Sequence, residues 1–386
     1  MARPVPFTID IPQTDLDDLR RRLLATRFAP EIPGDGWKYG VERTWLQSMV
    51  NTWANDYDWR THEAQMNSYP NYRVEIDGIP IHFLHIRGKG PNPRPLIATH
   101  GWPWTFWDLR GLIEPLTDPA SVGGRPEDSF DLVIPSLPGF AFSNPLQTHG
   151  VNVRRVAELW VKLMRDCLGY DRFGAYGGDW GAIVTSELGH AHAQHLTGVY
   201  MSLPVIPGVN RRELAPEAFG PDEEWMVQRT AEVDWLIRSH VTVHTHDPQT
   251  LAYALADSPV GTAAWIWERR RAWSDCDGDV ESVFNRDELI TLASIYWLTG
   301  AIGPSLRIYF EHFNGGWPPI HDRIPIVEAP TGFAIFPKEL VLLPRSVAAK
   351  YSNLHRWTLM PKGGHFGPAE QPLAVAAELT AFFGSL

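Results

Sequence analysis

The stretch 174-GAYGGDWGAI-183 sets an aspartate, Asp179, between two glycines, Gly177 and Gly181, each two positions away. The run Arg172 to Tyr176 before it has strand character, and the run Ala182 to His195 after it suits a helix. Strand, glycine turn and helix together spell the sharp elbow that lifts a nucleophile above a sheet, with aspartate in the place of the usual serine. The glycines let the backbone take the strained turn. A carboxylate is a weak nucleophile but is already ionised at neutral pH. An elbow built around one predicts attack on an electrophilic carbon and an ester on Asp179.

Outward from the elbow, the chain alternates strands with helices. Leu96 to Thr99 and Phe130 to Pro135 read as buried strands, Val153 to Cys167 as a helix and Thr197 to Ser202 as a further strand. Strand rhythm returns in 330-PTGFAIFPKEL-340 and 355-HRWTLMPKGGHF-366, before a last amphipathic helix from about Pro372 to Phe383. This alternation predicts an α/β protein with a mostly parallel sheet covered on both faces. Between about Pro204 and Pro319 helical patterns replace strands, Asp287 to Thr299 among them, as expected of a cap over the sheet's ligand-binding edge. The first part opens with a helix signal, Thr14 as N-cap, Asp17 three residues on and Leu16, Leu19 and Leu23 at helical spacing. A second helix is expected from Glu42 to Asn55, and 71-NYRVEIDGIPIHFLHIRG-88 reads as a hairpin turning at Asp77-Gly78. Four segments follow: 1–90 as an N-terminal extension wrapping the core, 91–204 and 321–386 as the two parts of the core, and 205–320 as the helical cap.

The elbow needs partners. His365, in 362-KGGHFG-367 after the last strand, is the candidate base. Glu339, just past the strand Gly332 to Phe336, is the best placed carboxylate to orient it, better than Asp322 or Glu328. The order nucleophile, acid, histidine is that of the α/β-hydrolase fold. An oxyanion hole would take backbone N–H groups from Trp180, after the nucleophile, and from Trp102 in the turn His100-Gly101-Trp102-Pro103. Asp179 needs no base to attack. His365, held by Glu339, is expected to activate the water that cleaves the ester, which points to epoxides or haloalkanes rather than ordinary esters.

Composition narrows the class. With 44% hydrophobic and 20% charged residues the 386-residue chain is an ordinary globular sequence, and its formal net charge of −11 argues against nucleic acid as a partner. The run Arg269-Arg270-Arg271 reads as a solvated helix face. Two cysteines, Cys167 and Cys276, suit a reducing compartment. Without a signal-like N-terminus or a window of about 18 apolar residues, a cytoplasmic protein is expected. The 17 tryptophans cluster partly in the glycine-rich turns, which suggests a pocket lined by aromatics such as Trp104 and Phe140 and a bulky or aromatic substrate.

Together these motifs resemble the microsomal-type epoxide hydrolases of the α/β-hydrolase superfamily, over nearly the full chain. The resemblance rests on 7-FTIDIPQTDLDDLRRRLLATRF-28, 57-YDWR-60, 74-VEIDGIPIHFLH-85, HGWP, GGDWG, 257-DSPVGTAAWI-266, 330-PTGFAIFPKEL-340 and 363-GGHF-366. It implies an epoxide and water as substrates, a vicinal diol as product, no cofactor and no metal. It implies Asp179 as nucleophile, Glu339 as charge-relay acid, His365 as water-activating base and Tyr309, in 307-RIYFEH-312, as a proton donor to the opening ring. A second cap tyrosine of the family aligns with His240, in a stretch that also offers His244 and His246. Three outcomes are open: His240 donates to the oxygen, Tyr309 acts alone, or the change alters how the epoxide sits and which carbon is attacked. Such cap variation suits a natural-product epoxide. The membrane anchor of mammalian relatives is expected to be missing, and a homodimer is compatible with the sequence. Two other readings compete. A haloalkane dehalogenase fits Trp180 but not the N-terminal segment, Trp102 or Tyr309. A non-catalytic binding protein draws only on His240.

Overall fold

The computed structural model describes residues 3–386. Nine strands form one sheet: β1 (Val5–Pro6), β2 (Asn71–Ile76), β3 (Ile79–Ile86), β4 (Arg94–Thr99), β5 (Phe130–Pro135), β6 (Phe173–Gly177), β7 (Leu196–Met201), β8 (Val327–Ile335) and β9 (Ser352–Leu359). Their order is β1-β2-β3-β5-β4-β6-β7-β8-β9, antiparallel from β1 to β5 and parallel from β5 through β9. This is the α/β-hydrolase fold, as expected. All six residues of β5 are buried, which suits a strand covered on both faces. The β2–β3 hairpin turns where expected: Asp77 and Gly78 both have positive φ, 53° and 77°, as the tight two-residue turn requires.

The N-terminal extension begins and ends in the sheet, and the helices between reach the cap. Its helices are Gln13–Leu24, Arg43–Asn55 and Trp59–Asn67. The first starts earlier than its sequence suggests. Pro12 occupies the N-cap position and Thr14 lies inside the helix, because the fixed φ of proline already sets up a helical start. Leu19 and Leu23 are buried as their spacing predicts. The second helix is capped by Glu42, whose carboxylate accepts from the N–H groups of Thr44 and Trp45. Trp45 and Trp53 then pack on Trp267, with ring centroids 5.7 and 5.9 Å away, and the Trp45 indole donates to Glu281 at 2.7 Å. The extension therefore braces the cap as well as the sheet.

Between β7 and β8 lie five principal helices, Glu224–His246, Pro248–Asp257, Pro259–Trp273, Arg286–Leu298 and Ile302–Phe313. One expectation fails here. Arg269 and Arg270 are buried, not solvated. Helix Pro259–Trp273 is sandwiched between the N-terminal helices and the core, and the Arg270 guanidinium pairs with Asp108, 1% and 9% exposed respectively. The same guanidinium sits 4.0 Å over the Phe366 ring. Among the described residues no single helix is long and apolar enough to cross a membrane, and Cys167 and Cys276 are free thiols.

Candidate active site

Asp179 stands at the end of β6, immediately before helix Trp180–Ala191, with φ 51° and ψ −125°. A non-glycine residue seldom adopts positive φ, so the surrounding contacts must hold the strain. They do so through close backbone approach. A Cβ on Gly181 would lie 2.0 Å from the Thr99 carbonyl oxygen, and one on Gly101 would lie 2.3 Å from both Cβ and Oδ1 of Asp179. The elbow and the His100–Pro103 turn are thus pressed together by positions that only glycine fits.

The expected partners converge on this carboxylate. The Trp102 backbone N–H donates to Asp179 Oδ1 at 2.7 Å. The Trp180 N–H opens the following helix and has no acceptor within it. His365 Nε2 lies 3.3 Å from Asp179 Oδ2, and His365 Nδ1 lies 2.6 Å from Glu339 Oε1. Glu339 Oε1 also accepts the Leu340 N–H at 2.5 Å. Both His365 and Glu339 are 1% exposed. Burial alone would favour a neutral ring, but the charge of Glu339 and the contacts with Asp179 outweigh it and raise the His365 pKa to about 10. The surroundings of the histidine therefore favour its protonated form.

Above the carboxylate is a cavity of about 530 Å³ lined by Asp179, Trp180, His365, Tyr309 and His240. Its remaining wall is largely apolar, including Ile183, Leu203, Val241, Phe313, Trp317 and Val341, with Arg211 and Arg212 farther round. Tyr309 comes from helix Ile302–Phe313 and packs edge-on against Trp180 at 4.7 Å. Burial, with the nearby charge of Asp179, drives its hydroxyl pKa well up, so it stays a proton donor. His240 comes from helix Glu224–His246, is 4% exposed, and stacks on Trp102 with centroids 5.5 Å apart. Burial first, then His244, Arg269 and His365, lowers its pKa well below 6.5, so the ring is neutral and retains one N–H. Its Nδ1 is buried without a partner. His244 lies behind, where its Nε2 accepts the Trp265 indole N–H at 3.1 Å, and His246 is exposed. Among the described residues no group of three or more His, Cys, Asp or Glu side chains is placed to hold a metal.

Trp104 and Phe140 do not line this cavity, contrary to expectation. Both are fully buried beneath it: Trp104 packs on His365 and Phe366 at 5.5 Å, and Phe140 on His100 at 5.3 Å. Their turns point the indole and phenyl rings into the core and leave backbone towards the ligand. Trp273, which the sequence did not single out, takes a wall position. Its ring packs at 4.7 Å from His240 and 5.4 Å from His365, and its carbonyl accepts the His365 N–H at 2.9 Å.

An elbow carboxylate over a mostly parallel sheet, faced by an acid–histidine pair, defines a hydrolase of the α/β fold. Residues 94–239 match the alpha/beta hydrolase fold family, and residues 4–109 match the family described as epoxide hydrolase N terminus. A provisionally named epoxide hydrolase of Stigmatella aurantiaca (strain DW4/3-1) is 41% identical over 386 residues, spanning 99% of this chain and 85% of the relative. Epoxide hydrolase 1 of Oryctolagus cuniculus is 32% identical over 409 residues, spanning 98% and 88%. Of solved structures, juvenile hormone epoxide hydrolase from the silkworm Bombyx mori superposes with a TM-score of 0.86 at 27% identity, covering 100% of this chain and 95% of that one. Aspergillus niger epoxide hydrolase superposes at 0.84 with 28% identity, covering 99% and 96%. The chain belongs to the microsomal-type epoxide hydrolase family and is a hydrolase of that class.

Proposed function

We propose that the protein opens a bulky, largely apolar epoxide through a covalent ester on Asp179 and releases a vicinal diol. The carrying observation is the placement of His365, 3.3 Å from Asp179 and 2.6 Å from Glu339, beside a carboxylate that already rests in the Trp102 N–H. In the first step an Asp179 oxygen attacks a ring carbon, the carbon–oxygen bond breaks, and Tyr309 supplies the proton to the departing alkoxide. His240, neutral and lining the same cavity, is the second donor to that oxygen. Once the ester has removed the Asp179 charge, the proton of His365 returns to the Tyr309 oxygen, and in the second step the neutral ring takes a proton from water. The hydroxide adds to the ester carbonyl, with the Trp102 and Trp180 N–H groups receiving the oxyanion; collapse of this intermediate breaks the bond from the Asp179 acyl carbon to the diol oxygen, which leaves with the new acid's proton, so that Asp179 is again a carboxylate beside protonated His365. The apolar wall supports a substrate whose bulk is hydrocarbon, which accords with a natural-product epoxide.

The test is the intact mass of His365→Gln after mixing with an aryl epoxide and, separately, a haloalkane. A gain equal to the whole epoxide, mapped to Asp179, supports the two-step route; release of diol by that variant at the wild-type rate refutes it. The haloalkane is a real rival probe. The buried indole N–H of Trp273, on the cavity wall, has no partner and would suit a departing halide as well as an epoxide oxygen. A gain equal to the alkyl group alone, with none from epoxides, would favour the dehalogenase.

A further inference from the structure

The loop that carries His365 is bonded to the cap as much as to the core. Gly363 N–H donates to Asp275 Oδ2 at 3.0 Å, and His365 N–H donates to the Trp273 carbonyl at 2.9 Å. The N–H groups on either side of the histidine, Gly364 and Phe366, donate to the two oxygens of Glu370, each at 2.9 Å. Glu370 Oε2 then accepts a third N–H, that of Asp275, also at 2.9 Å. One carboxylate thus ties the residues flanking the base to the residue just past helix Pro259–Trp273 of the cap. Hydrogen bonds to a carboxylate are among the stronger ones in proteins, and although burial raises the Glu370 pKa to about 7, its three backbone donors pull towards the charged form. The acid's loop is held in the same manner: Arg229, from cap helix Glu224–His246, donates to the carbonyls of Lys338 at 2.8 Å and Glu339 at 3.3 Å.

Glu370 lines no wall of the cavity and touches none of the reacting atoms. We infer that Glu370, together with Asp275, is a positioning residue for ester hydrolysis, latching the His365 loop to the end of the cap helix so that the base keeps its place over the Asp179 ester. The inference rests on the two-step reading above. The two steps make different demands on this loop. Alkylation uses Asp179 and the cap donors, whereas hydrolysis requires the imidazole, the water and the ester carbonyl to line up within about half an ångström. Loss of the latch therefore strikes the second step preferentially. A purely architectural role would lower stability and active fraction and leave the ratio of the two rates alone.

Single-turnover stopped-flow with an aryl epoxide, followed by quenched-flow intact mass, separates the rates. In Glu370→Gln the amide keeps an acceptor for Phe366 but turns an NH₂ towards the N–H groups of Gly364 and Asp275. Hydrolysis should slow at least tenfold while alkylation changes less than threefold, so that the Asp179 ester accumulates at steady state. Asp275→Asn, a milder change that guards against misfolding of the first variant, should slow hydrolysis about threefold in the same direction. Equal slowing of both steps in both variants, or no change in their ratio, overturns the latch. If His365→Gln itself forms no ester, the two-step reading falls and the latch falls with it; ester in His365→Gln with an unaltered ratio in the other two removes the latch alone.

Discussion

Replacing Asp179 by asparagine should bring His365 back towards an ordinary histidine, and the size of the change can be reasoned from the site. The resting pKa of about 10, against 6.5 for a free side chain, corresponds to about 5 kcal/mol at about 1.4 kcal/mol per tenfold change. That is a net figure, burial pulling the other way while two carboxylates favour the cation. An opposite charge at these distances contributes about 1–3 pKa units. Asparagine keeps the shape of Asp179 and deletes its charge, so the midpoint should fall by about that much. At pH 8 about 99% of wild-type rings would be protonated, compared with about a tenth to nine tenths in the variant. A ¹³Cε1-histidine NMR titration from pH 6 to 10.5, with the resonance assigned by its loss in His365→Gln, reads this directly. A wild-type midpoint below 8, or the same midpoint in both proteins, would refute the reasoning. The consequence is mechanistic. In the proposed route ester formation would also remove the Asp179 charge and so turn His365 from a cation paired with that carboxylate into a base able to accept a proton from water.

The same pKa makes a stability prediction with a definite sign. Because the folded value of about 10 lies above the unfolded 6.5, the contribution of His365 is complete below pH 6.5 and is lost as pH rises towards 10. Wild type should therefore lose about 1.4 kcal/mol per pH unit more than His365→Gln over that window in guanidinium titrations; parallel curves would contradict it. For Tyr309→Phe, alkylation in stopped-flow should slow by about 10²-fold or more if it is the main acid, and His240→Phe should slow it less; a larger effect at His240 would reverse their roles. Arg270→Met should cost about 3–5 kcal/mol in denaturant unfolding, because it strands the buried Asp108 carboxylate. Adding Asp108→Asn should recover part of that loss, and a single-variant cost under about 1 kcal/mol would show that the pair is not isolated from water.

The grouping of Asp179, His365 and Trp102 was legible because these residues sit in short turns where backbone geometry restricts the sequence. Asp179 needs glycines on both sides, the turn facing it needs Gly101, and His365 follows the last strand in another glycine pair. The sheet was legible for a related reason: β5 is an apolar run broken only by Asp131, and its ends coincide with those read from the sequence. The N-terminal helix starts two residues early because proline and threonine compete to begin it, and proline's preset backbone angle prevailed.

What stayed hidden depends on partners far away in sequence. Nothing local distinguishes the buried Arg270 from a solvated one, since its partner Asp108 lies 162 residues earlier. The pocket wall was misread in the opposite sense. Trp104 and Phe140 occupy the right turns, but a turn that presents backbone N–H groups to a ligand sends its large side chains below, into the core. The wall itself is assembled from Ile183 on the elbow helix, Leu203 after β7, Val241 and Phe313 on the cap and Val341 after β8, each of which looks like ordinary core in its own segment. The reaction is thus encoded in a few constrained turns, whereas the choice of epoxide is spread over residues whose only shared property is the space they leave. It follows that variants along that wall should exchange substrates while leaving the His365 titration unchanged, and that the turns should tolerate almost nothing.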